Sequence, residues 1–148
     1  MIEIRKILAR ETYAVRHPVL RAGKPLKTCH FDGDEYETTV HFGLLTKGKL
    51  VGVASIFEAS SAYFESENQL QLRGMAVLEP HRMKGFGEAL LRHSEKHAEA
   101  RRCEILWFNA RIIAVPFYER CGYQTIGDTF DIGDIGAHYV MYKKLALI

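Results

Sequence analysis

The feature that most constrains the fold is an apolar strand that leads through a basic, glycine-containing turn into an amphipathic helix. The stretch Leu70–Leu78 is rich in apolar residues, and Pro80 ends it. The turn reads Arg82-Met83-Lys84-Gly85-Phe86-Gly87 and is called the basic turn below. From Gly85 to Arg101 the apolar residues recur at helical spacing. A strand, a tight turn and a helix in succession predict a mixed α/β fold.

Further strands and helices are predicted on both sides of this unit. The predicted strands are Ile2–Leu8, Thr38–Thr46, Leu50–Phe57, Glu104–Phe108, Tyr123–Ile126 and His138–Leu145. Helices are predicted over Glu11–Leu20, which Pro18 interrupts, and over Ile112–Arg120. Lys47-Gly48-Lys49 is typical of a hairpin connection, and the glycine-rich stretch Gly127–Gly136 is predicted to be one long loop.

Size and composition limit the classes of protein that fit. The chain has 148 residues, 47% of them hydrophobic, which predicts a single domain over residues 1–148. Its 20 basic and 18 acidic residues nearly balance, which argues against disorder and against a nucleic-acid surface. No stretch approaches the roughly 20 apolar residues that span a bilayer. Three cysteines without a CxxC pair favour a reduced cytoplasmic setting and no metal site.

The basic turn has the physical properties of a pyrophosphate site. Glycines at 85 and 87 let backbone N–H groups approach an anion, and the helix that follows adds unpaired donors and a positive dipole end. Arg82 and Lys84 add positive charge. The spacing differs from the GxxxxGK[ST] loop of nucleoside triphosphatases and lacks the third glycine of a dinucleotide fold. An ordinary basic loop with a helix cap has the same composition.

Two segments resemble the GCN5-related N-acetyltransferases (GNAT). The basic turn matches that family's (Gln/Arg)-x-x-Gly-x-(Gly/Ala) signature, and Ala114–Tyr123 resembles its A-x-x-F-Y-x-x-x-G-(F/Y) segment. The resemblance implies an α/β (α+β) acyl-CoA N-acyltransferase fold. Such a fold has a mixed, mostly antiparallel sheet of six or seven strands, flanked by helices and splayed between strands 4 and 5.

The same resemblance implies acetyl-CoA as the donor and assigns residues to it. The implied cofactor-binding residues are Met75, Ala76, Val77, Arg82, Met83, Lys84, Gly85, Phe86, Gly87, Glu88, Asn109 and Tyr118. The Val77 N–H is expected to stabilise the thioester oxygen, and Tyr118 is expected to protonate the departing thiolate. Asn109 fits equally well as a plain residue at the end of a strand.

The implied reaction is direct acetyl transfer to the amine of a small molecule or peptide. A homodimer formed through exposed edge strands is one option, and neither nucleic acid nor a membrane is an expected partner. One alternative is a catalytically inactive acetyl-CoA-binding regulatory module, because Leu72 stands where some family members carry a glutamate. A second alternative is a nucleotide-binding protein that uses the basic turn for another pyrophosphate.

Several polar side chains have no assigned role at this stage. Candidates for a general base are Glu79, His41, Asp34 and His138, each of which is equally a plain surface or strand residue. Cations that could bind an acidic acceptor or simply face solvent are Arg16, Arg21 and Lys24. His93 and His97 lack the HExxH order and are predicted to lie on a solvated helix face. Cys121 is predicted to be a buried thiol.

Overall fold

The computed structural model describes residues 1–133 and 135–145, which form seven strands and three α-helices. The strands are β1 (Ile2–Ile7), β2 (Val40–Thr46), β3 (Lys49–Phe57), β4 (Gln69–Val77), β5 (Ile105–Arg111), β6 (Gln124–Ile132) and β7 (Gly136–Lys144). The helices are α1 (Tyr13–Leu20), α2 (Phe86–Ala100) and α3 (Val115–Arg120). Among the described residues no helix is long and apolar enough to cross a membrane.

The strands form a mixed sheet in the order β1-β2-β3-β4-β5-β7-β6. Antiparallel pairing joins β1 to β2, β2 to β3, β5 to β7 and β6 to β7. β4 pairs with β5 in parallel, through Gln69–Gln71 and Ile105–Trp107 only. Residues 72–77 of β4 lie beyond that pairing, as expected for a sheet that opens between strands 4 and 5. The predicted mixed, mostly antiparallel sheet is confirmed, with seven strands.

The β2–β3 hairpin has the tight turn that its sequence predicts. Lys47 and Gly48 both have left-handed backbones, with φ of 51° and 76°. Two-residue hairpins favour this geometry because its twist matches that of the flanking strands. Thr46 therefore pairs with Lys49 directly across the turn.

Two elements differ from the prediction. The stretch from Gly127 is strand rather than a long loop, because β6 continues to Ile132 through a register shift between Ile126 and Phe130. Gly127 lies in a β-bulge of this strand, whereas the sequence alone indicated a loop there. Pro18 also does not interrupt α1, which continues to Leu20. Position 134 of the predicted loop and residues 146–148 of the predicted domain lie outside the described residues.

Packing divides the chain into two compact units. Unit 1 comprises Met1–Glu58 and Leu72–His97. Its core includes Val15, Val53 and Ala76, which bring together α1, β3 and β4. Apolar burial of this kind is the main favourable term in folding. Unit 1 contains the basic turn and most of β4.

Unit 2 comprises Ala59–Gln71 and the chain from Ala98 onward. Ile105 and Trp107 of β5 pack with Val140 of β7 at its core. The Trp107 indole N–H donates to the Ala59 carbonyl oxygen at 3.0 Å, which satisfies the polar end of a buried ring. The single domain expected over residues 1–148 stays a prediction.

Candidate active site

The basic turn lies between β4 and α2 in unit 1. A short 3-10 turn, Glu79–His81, follows β4 and the α-helix begins at Phe86. Met83 and Gly85 have left-handed backbones, with φ of 64° and 80°. No atom lies within 4 Å of the position that a Cβ would take at Gly85. Glycine is therefore favoured at position 85 by backbone conformation, and it leaves open space beside the turn.

The basic turn presents its charge to solvent. Arg82, Met83, Lys84 and Gly85 are all exposed. Arg82 Nε donates to the Val77 carbonyl oxygen at 3.2 Å, which ties the turn to the end of β4. The first backbone N–H groups of an α-helix have no intrahelical acceptor and favour an anion. This combination can bind phosphate oxygens.

The predicted cofactor strand is the part of β4 in unit 1. Met75 and Val77 are half-buried, and Ala76 belongs to the unit 1 core. Gly74 precedes them with φ of 65°, a backbone that breaks the regular strand geometry. A Cβ at Gly74 would lie 2.9 Å from Phe31 Cε2, so the glycine also permits close packing on that ring. Leu72 is buried with 3% of its surface exposed, and it offers no carboxylate.

A buried ion pair joins α1 to the loop that precedes β2. The side chains of Arg16 and Asp34 are both completely inaccessible to solvent. Arg16 Nη1 and Nη2 donate to the two Asp34 carboxylate oxygens at 2.7 and 3.1 Å. Arg16 Nη1 also donates to the Cys29 carbonyl oxygen at 2.8 Å, and the Phe31 N–H donates to Asp34 at 2.9 Å. Arg16 is thus a structural cation, and the expectation that it could face solvent is wrong.

Two further side chains complete this arginine network. Ser55 Oγ accepts from Arg16 Nη2 at 3.0 Å and lies 2.6 Å from His41 Nδ1. His41 Nε2 lies 2.9 Å from the Asp34 backbone oxygen, which can only accept. The Nε2–H tautomer satisfies every contact, because Ser55 can then donate to Nδ1. The arginine network is therefore Arg16, Cys29, Phe31, Asp34, His41 and Ser55.

The general-base candidates occupy different surroundings. Asp34 and His41 are both buried and both hydrogen-bonded within the arginine network. Glu79 is exposed. His138, in unit 2, is 5% exposed and donates through Nδ1 to the Gly136 oxygen at 2.8 Å. No single residue of the four stands out as a base.

Tyr118 lies in an aromatic cluster of unit 2. Its ring centroid is 4.3 Å from that of Phe108 and 5.1 Å from that of Phe117. Its hydroxyl makes no hydrogen bond to another residue in the described part of the chain. Burial, with a smaller contribution from Cys121, raises the pKa of Tyr118 to about 12. The phenol is therefore protonated at neutral pH and has a donor available to a ligand.

Asn109 and Cys121 are the other predicted residues of unit 2. Asn109 lies within β5 opposite Val140 of β7, and its side chain is exposed. It is not a strand-ending residue, because β5 continues to Arg111. Cys121 is buried, as predicted, and like Cys29 and Cys103 it is not in a disulfide.

His93 and His97 do not lie on a solvated face. Both are half-buried, and their rings meet the edge or face of Phe42 at centroid distances of 4.7 and 5.4 Å. The correction follows from packing, since α2 turns this side toward β2. Among the described residues no three His, Cys, Asp or Glu side chains group as metal ligands.

A groove in unit 2 lies apart from the predicted site residues. Its volume is about 500 Å³, and Phe64, Ile126 and Tyr142 contribute to its lining. None of the residues assigned to acetyl-CoA binding lines this groove. Cavity size alone therefore does not identify the site.

Sequence reasoning missed Arg73 of β4 as a candidate site residue. Its guanidinium carbon lies 5.2 Å from the Phe31 ring centroid and 5.0 Å from that of Phe57. The sequence feature that could have indicated Arg73 was a cation within an apolar strand, directly before a glycine. The partners Phe31 and Phe57 are distant in sequence, so no local pattern connects them.

Comparison with known proteins gives a consistent family match. Residues 2–123 match the sequence profile of the Acetyltransferase (GNAT) family. YitI of Bacillus subtilis strain 168, an uncharacterized N-acetyltransferase, is 34% identical over 145 residues. That match covers 98% of this chain and 97% of YitI.

Solved structures share the fold. The ribosomal-protein-S18-alanine N-acetyltransferase from Escherichia coli has a TM-score of 0.77 at 20% identity, covering 100% of this chain and 96% of its own. An aminoglycoside 6'-N-acetyltransferase complexed with coenzyme A has a TM-score of 0.76 at 13% identity, covering 96% of each chain. At these identities the likeness concerns the fold alone, and it matches the predicted acyl-CoA N-acyltransferase fold.

Proposed function

The chain belongs to the acetyltransferase (GNAT) family, and we propose that it transfers an acetyl group from acetyl-CoA to an amine by direct attack. The observation that carries the proposal is the basic turn, in which left-handed Gly85 leads into α2. Open space beside Gly85 and the exposed cations Arg82 and Lys84 fit a pyrophosphate. A structural neighbour was crystallised with coenzyme A, which supports the same donor class.

Acetyl-CoA, when bound, supplies an activated thioester. In the proposal, residues 82–88 hold its pyrophosphate, and Met75 to Val77 line the pantetheine arm. The Val77 N–H hydrogen-bonds the thioester oxygen as negative charge develops there. Asn109 contributes a side-chain amide to the same ligand.

Tyr118 is proposed to act as the general acid. As the new C–N bond forms and the C–S bond breaks, Tyr118 gives its proton to sulfur and regains one from water. The amine loses its proton to water, so no dedicated base is required. Because burial raises the pKa of Tyr118 to about 12, this proton transfer is less favourable than from an ordinary phenol.

A Tyr118→Phe variant measures that contribution. General acid catalysis is typically worth 10²- to 10⁴-fold, and the raised pKa places our expectation near the lower end, at about a hundredfold in kcat. The KM for acetyl-CoA should change little, because the ring and its packing are retained. Unchanged kcat would remove the acid assignment while leaving acetyl transfer itself intact.

We propose that residues 1–148 act as one N-acetyltransferase domain in the cytoplasm, on a small-molecule or peptide amine. Three buried thiols outside any disulfide are compatible with a reducing compartment. A homodimer stays a prediction, and neither nucleic acid nor a membrane is part of the proposal.

The proposed function is tested by calorimetric titration with acetyl-CoA of the wild type, Gly85→Glu and Gly48→Glu. The two glycines are matched, with φ of 80° and 76° and no atom within 4 Å of either Cβ position. Both substitutions should therefore incur a similar backbone cost, on the order of 1 kcal/mol. Only Gly85→Glu places a carboxylate beside the basic turn.

We expect the wild type and Gly48→Glu to bind acetyl-CoA alike and Gly85→Glu to lose binding while staying folded. Thiol release in the presence of amines then establishes transfer. Failure of the wild type to bind acetyl-CoA would refute the proposal. Equal losses in the two variants would show that strain, and not the basic turn, governs binding.

A further inference from the structure

Three guanidinium groups surround one buried phenyl ring in unit 1. The guanidinium carbons of Arg16, Arg21 and Arg73 lie 3.9, 5.2 and 5.2 Å from the Phe31 ring centroid. Phe31 is 7% exposed, so these positive charges gather at the edge of a low-dielectric region. Cation–π contact accounts for the attraction of each guanidinium to the ring, but a ring face does not neutralise a positive charge.

The three cations differ in how their charge is balanced. Arg16 is neutralised by Asp34 in the arginine network. Within the part of the chain that the structure describes, Arg21 donates only to the carbonyl oxygens of Leu20 and Thr28, at 3.0 and 3.3 Å, which carry no net charge. Arg73 has neither a hydrogen bond nor an ion pair with any residue in the ranges 1–133 and 135–145. Two positive charges beside Phe31 therefore lack a paired carboxylate among the described residues.

Arg73 is also held in place. Its guanidinium lies near both Phe31 and Phe57, and Phe57 is only 4% exposed. Burial, followed by the positive charge of Arg16, lowers the pKa of Arg73, and the Asp34 and Asp32 carboxylates oppose that shift. A half-buried, oriented guanidinium without its own counterion is costly to maintain unless an anion binds to it.

We propose that Arg73, held between Phe31 and Phe57, binds a carboxylate of the acceptor, so that the acceptor is an amine that also carries a carboxylate. This inference rests on the proposed acetyl transfer and names its substrate class. A planar guanidinium can bind both carboxylate oxygens in parallel, which a lysine cannot do. Arg21 contributes to the local positive potential that attracts such an acceptor.

The position of Arg73 in β4 limits the acceptor further. Arg73 precedes Val77 by four residues, a separation of at most about 14 Å along a strand. Val77 is the proposed position of the thioester oxygen. The reactive amine and the carboxylate should therefore be several bonds apart, although the Arg73 side chain shortens the distance. The basic turn follows β4, so Arg73 and the pyrophosphate are expected at opposite ends of this segment.

The test compares amino acids with their carboxamides as acceptors in the presence of acetyl-CoA. The series is glycine, 4-aminobutyrate, 6-aminohexanoate and L-lysine, each measured beside its amide. We expect the acids to exceed the amides in kcat/KM by about tenfold to a hundredfold, as for a charge-assisted hydrogen bond. The preference should be greatest for the longer members and should appear mainly in KM.

Arg73→Met keeps the apolar stem and removes the charge, so the acid-to-amide ratio should fall to about one. Arg73→Lys should retain part of the preference and provides a second variant if the first fails to fold. The control is Lys49→Met. Lys49 is the first residue of β3 and Phe57 is the last, so this change removes a cation far from Phe57 along the strand and should leave the ratio unchanged.

The possible outcomes distinguish this inference from the proposed function. O-phosphoethanolamine, an amine that carries a phosphate instead of a carboxylate, is assayed beside this series. A wild type that acetylates acids and amides equally, or that prefers O-phosphoethanolamine, refutes carboxylate recognition and leaves acetyl transfer standing. A folded Arg73→Met with the wild-type ratio also refutes it. Absence of acetyl-CoA binding by the wild type refutes both together.

Discussion

The basic turn and the arginine network both contain arginine, yet they differ in charge balance, in burial and in sequence origin. The basic turn is six consecutive residues whose cations are exposed, and its only side-chain bond to the strand is that of Arg82 to Val77. The arginine network is assembled from separate segments around a completely buried Arg16. A sequence motif can therefore predict the basic turn, whereas the arginine network can be recognised only from the folded structure.

The difference in burial also predicts that the two regions contribute differently to stability and to ligand binding. Exposed charges gain little stability from their neighbours because water and salt screen them. A buried charge pair, by contrast, cannot lose one member without leaving the other desolvated. Changes in the arginine network should therefore act on folding, and changes in the basic turn should act on ligand binding. Three predictions test this difference.

The largest effect is expected from Asp34→Asn. This change leaves the Arg16 charge buried without a counterion, so the free energy of unfolding should fall by about 3–5 kcal/mol. Urea denaturation measures it, and Asp128→Asn, at an exposed carboxylate, should change stability by less than about 0.5 kcal/mol.

A paired replacement sharpens this prediction. Arg16→Met with Asp34→Leu removes both charges, and the double variant should recover a large part of the lost stability. If Asp34→Asn lost under 1 kcal/mol, the network would be poorly coupled to folding. The distinction between the two regions would then disappear.

A smaller effect, on binding instead of stability, is expected from Arg82→Met. Loss of the phosphate contact proposed for Arg82 should weaken acetyl-CoA binding by about tenfold, while the unfolding free energy stays within about 0.5 kcal/mol of wild type. Arg10→Met, another exposed arginine of unit 1, is the control and should bind normally. Higher salt should reduce the difference between Arg82→Met and wild type, and a salt-independent loss would contradict an electrostatic role.

Much of the fold could be predicted from the sequence, because hydrophobic period and turn residues are local signals. The strand before Pro80, the hairpin at Gly48 and the helix after Gly85 all follow this rule. The same rule led to the wrong prediction of a loop from Gly127, because Gly127 lies within a bulge of β6 and not in a loop. A bulge is determined by the neighbouring strand, which a local signal cannot show.

The candidate site divides in the same way. Family resemblance predicts the basic turn and Tyr118 as site residues because each lies in a short continuous motif. The sequence did not reveal that Arg16 is paired with Asp34, or that Arg73 meets Phe31 and Phe57. These contacts depend on tertiary packing, which sets the burial and charge balance of each arginine.

The smallest effect concerns His93, which is half-buried on α2 and therefore intermediate between the two regions. Burial, with Lys96 as a lesser cause, lowers the pKa of His93 from 6.5, so the unfolded chain binds this proton more readily than the folded one. Its contribution to stability is thus fully present above pH 6.5 and is lost as the pH falls toward the folded-state pKa. Solvent screening limits the change to the order of a few tenths of a kcal/mol.

The difference between the urea midpoints at pH 7.5 and pH 5.5 should therefore be slightly smaller in His93→Gln than in wild type. A larger movement in the variant would reverse the sign, because it would mean that packing against Phe42 favours the charged ring.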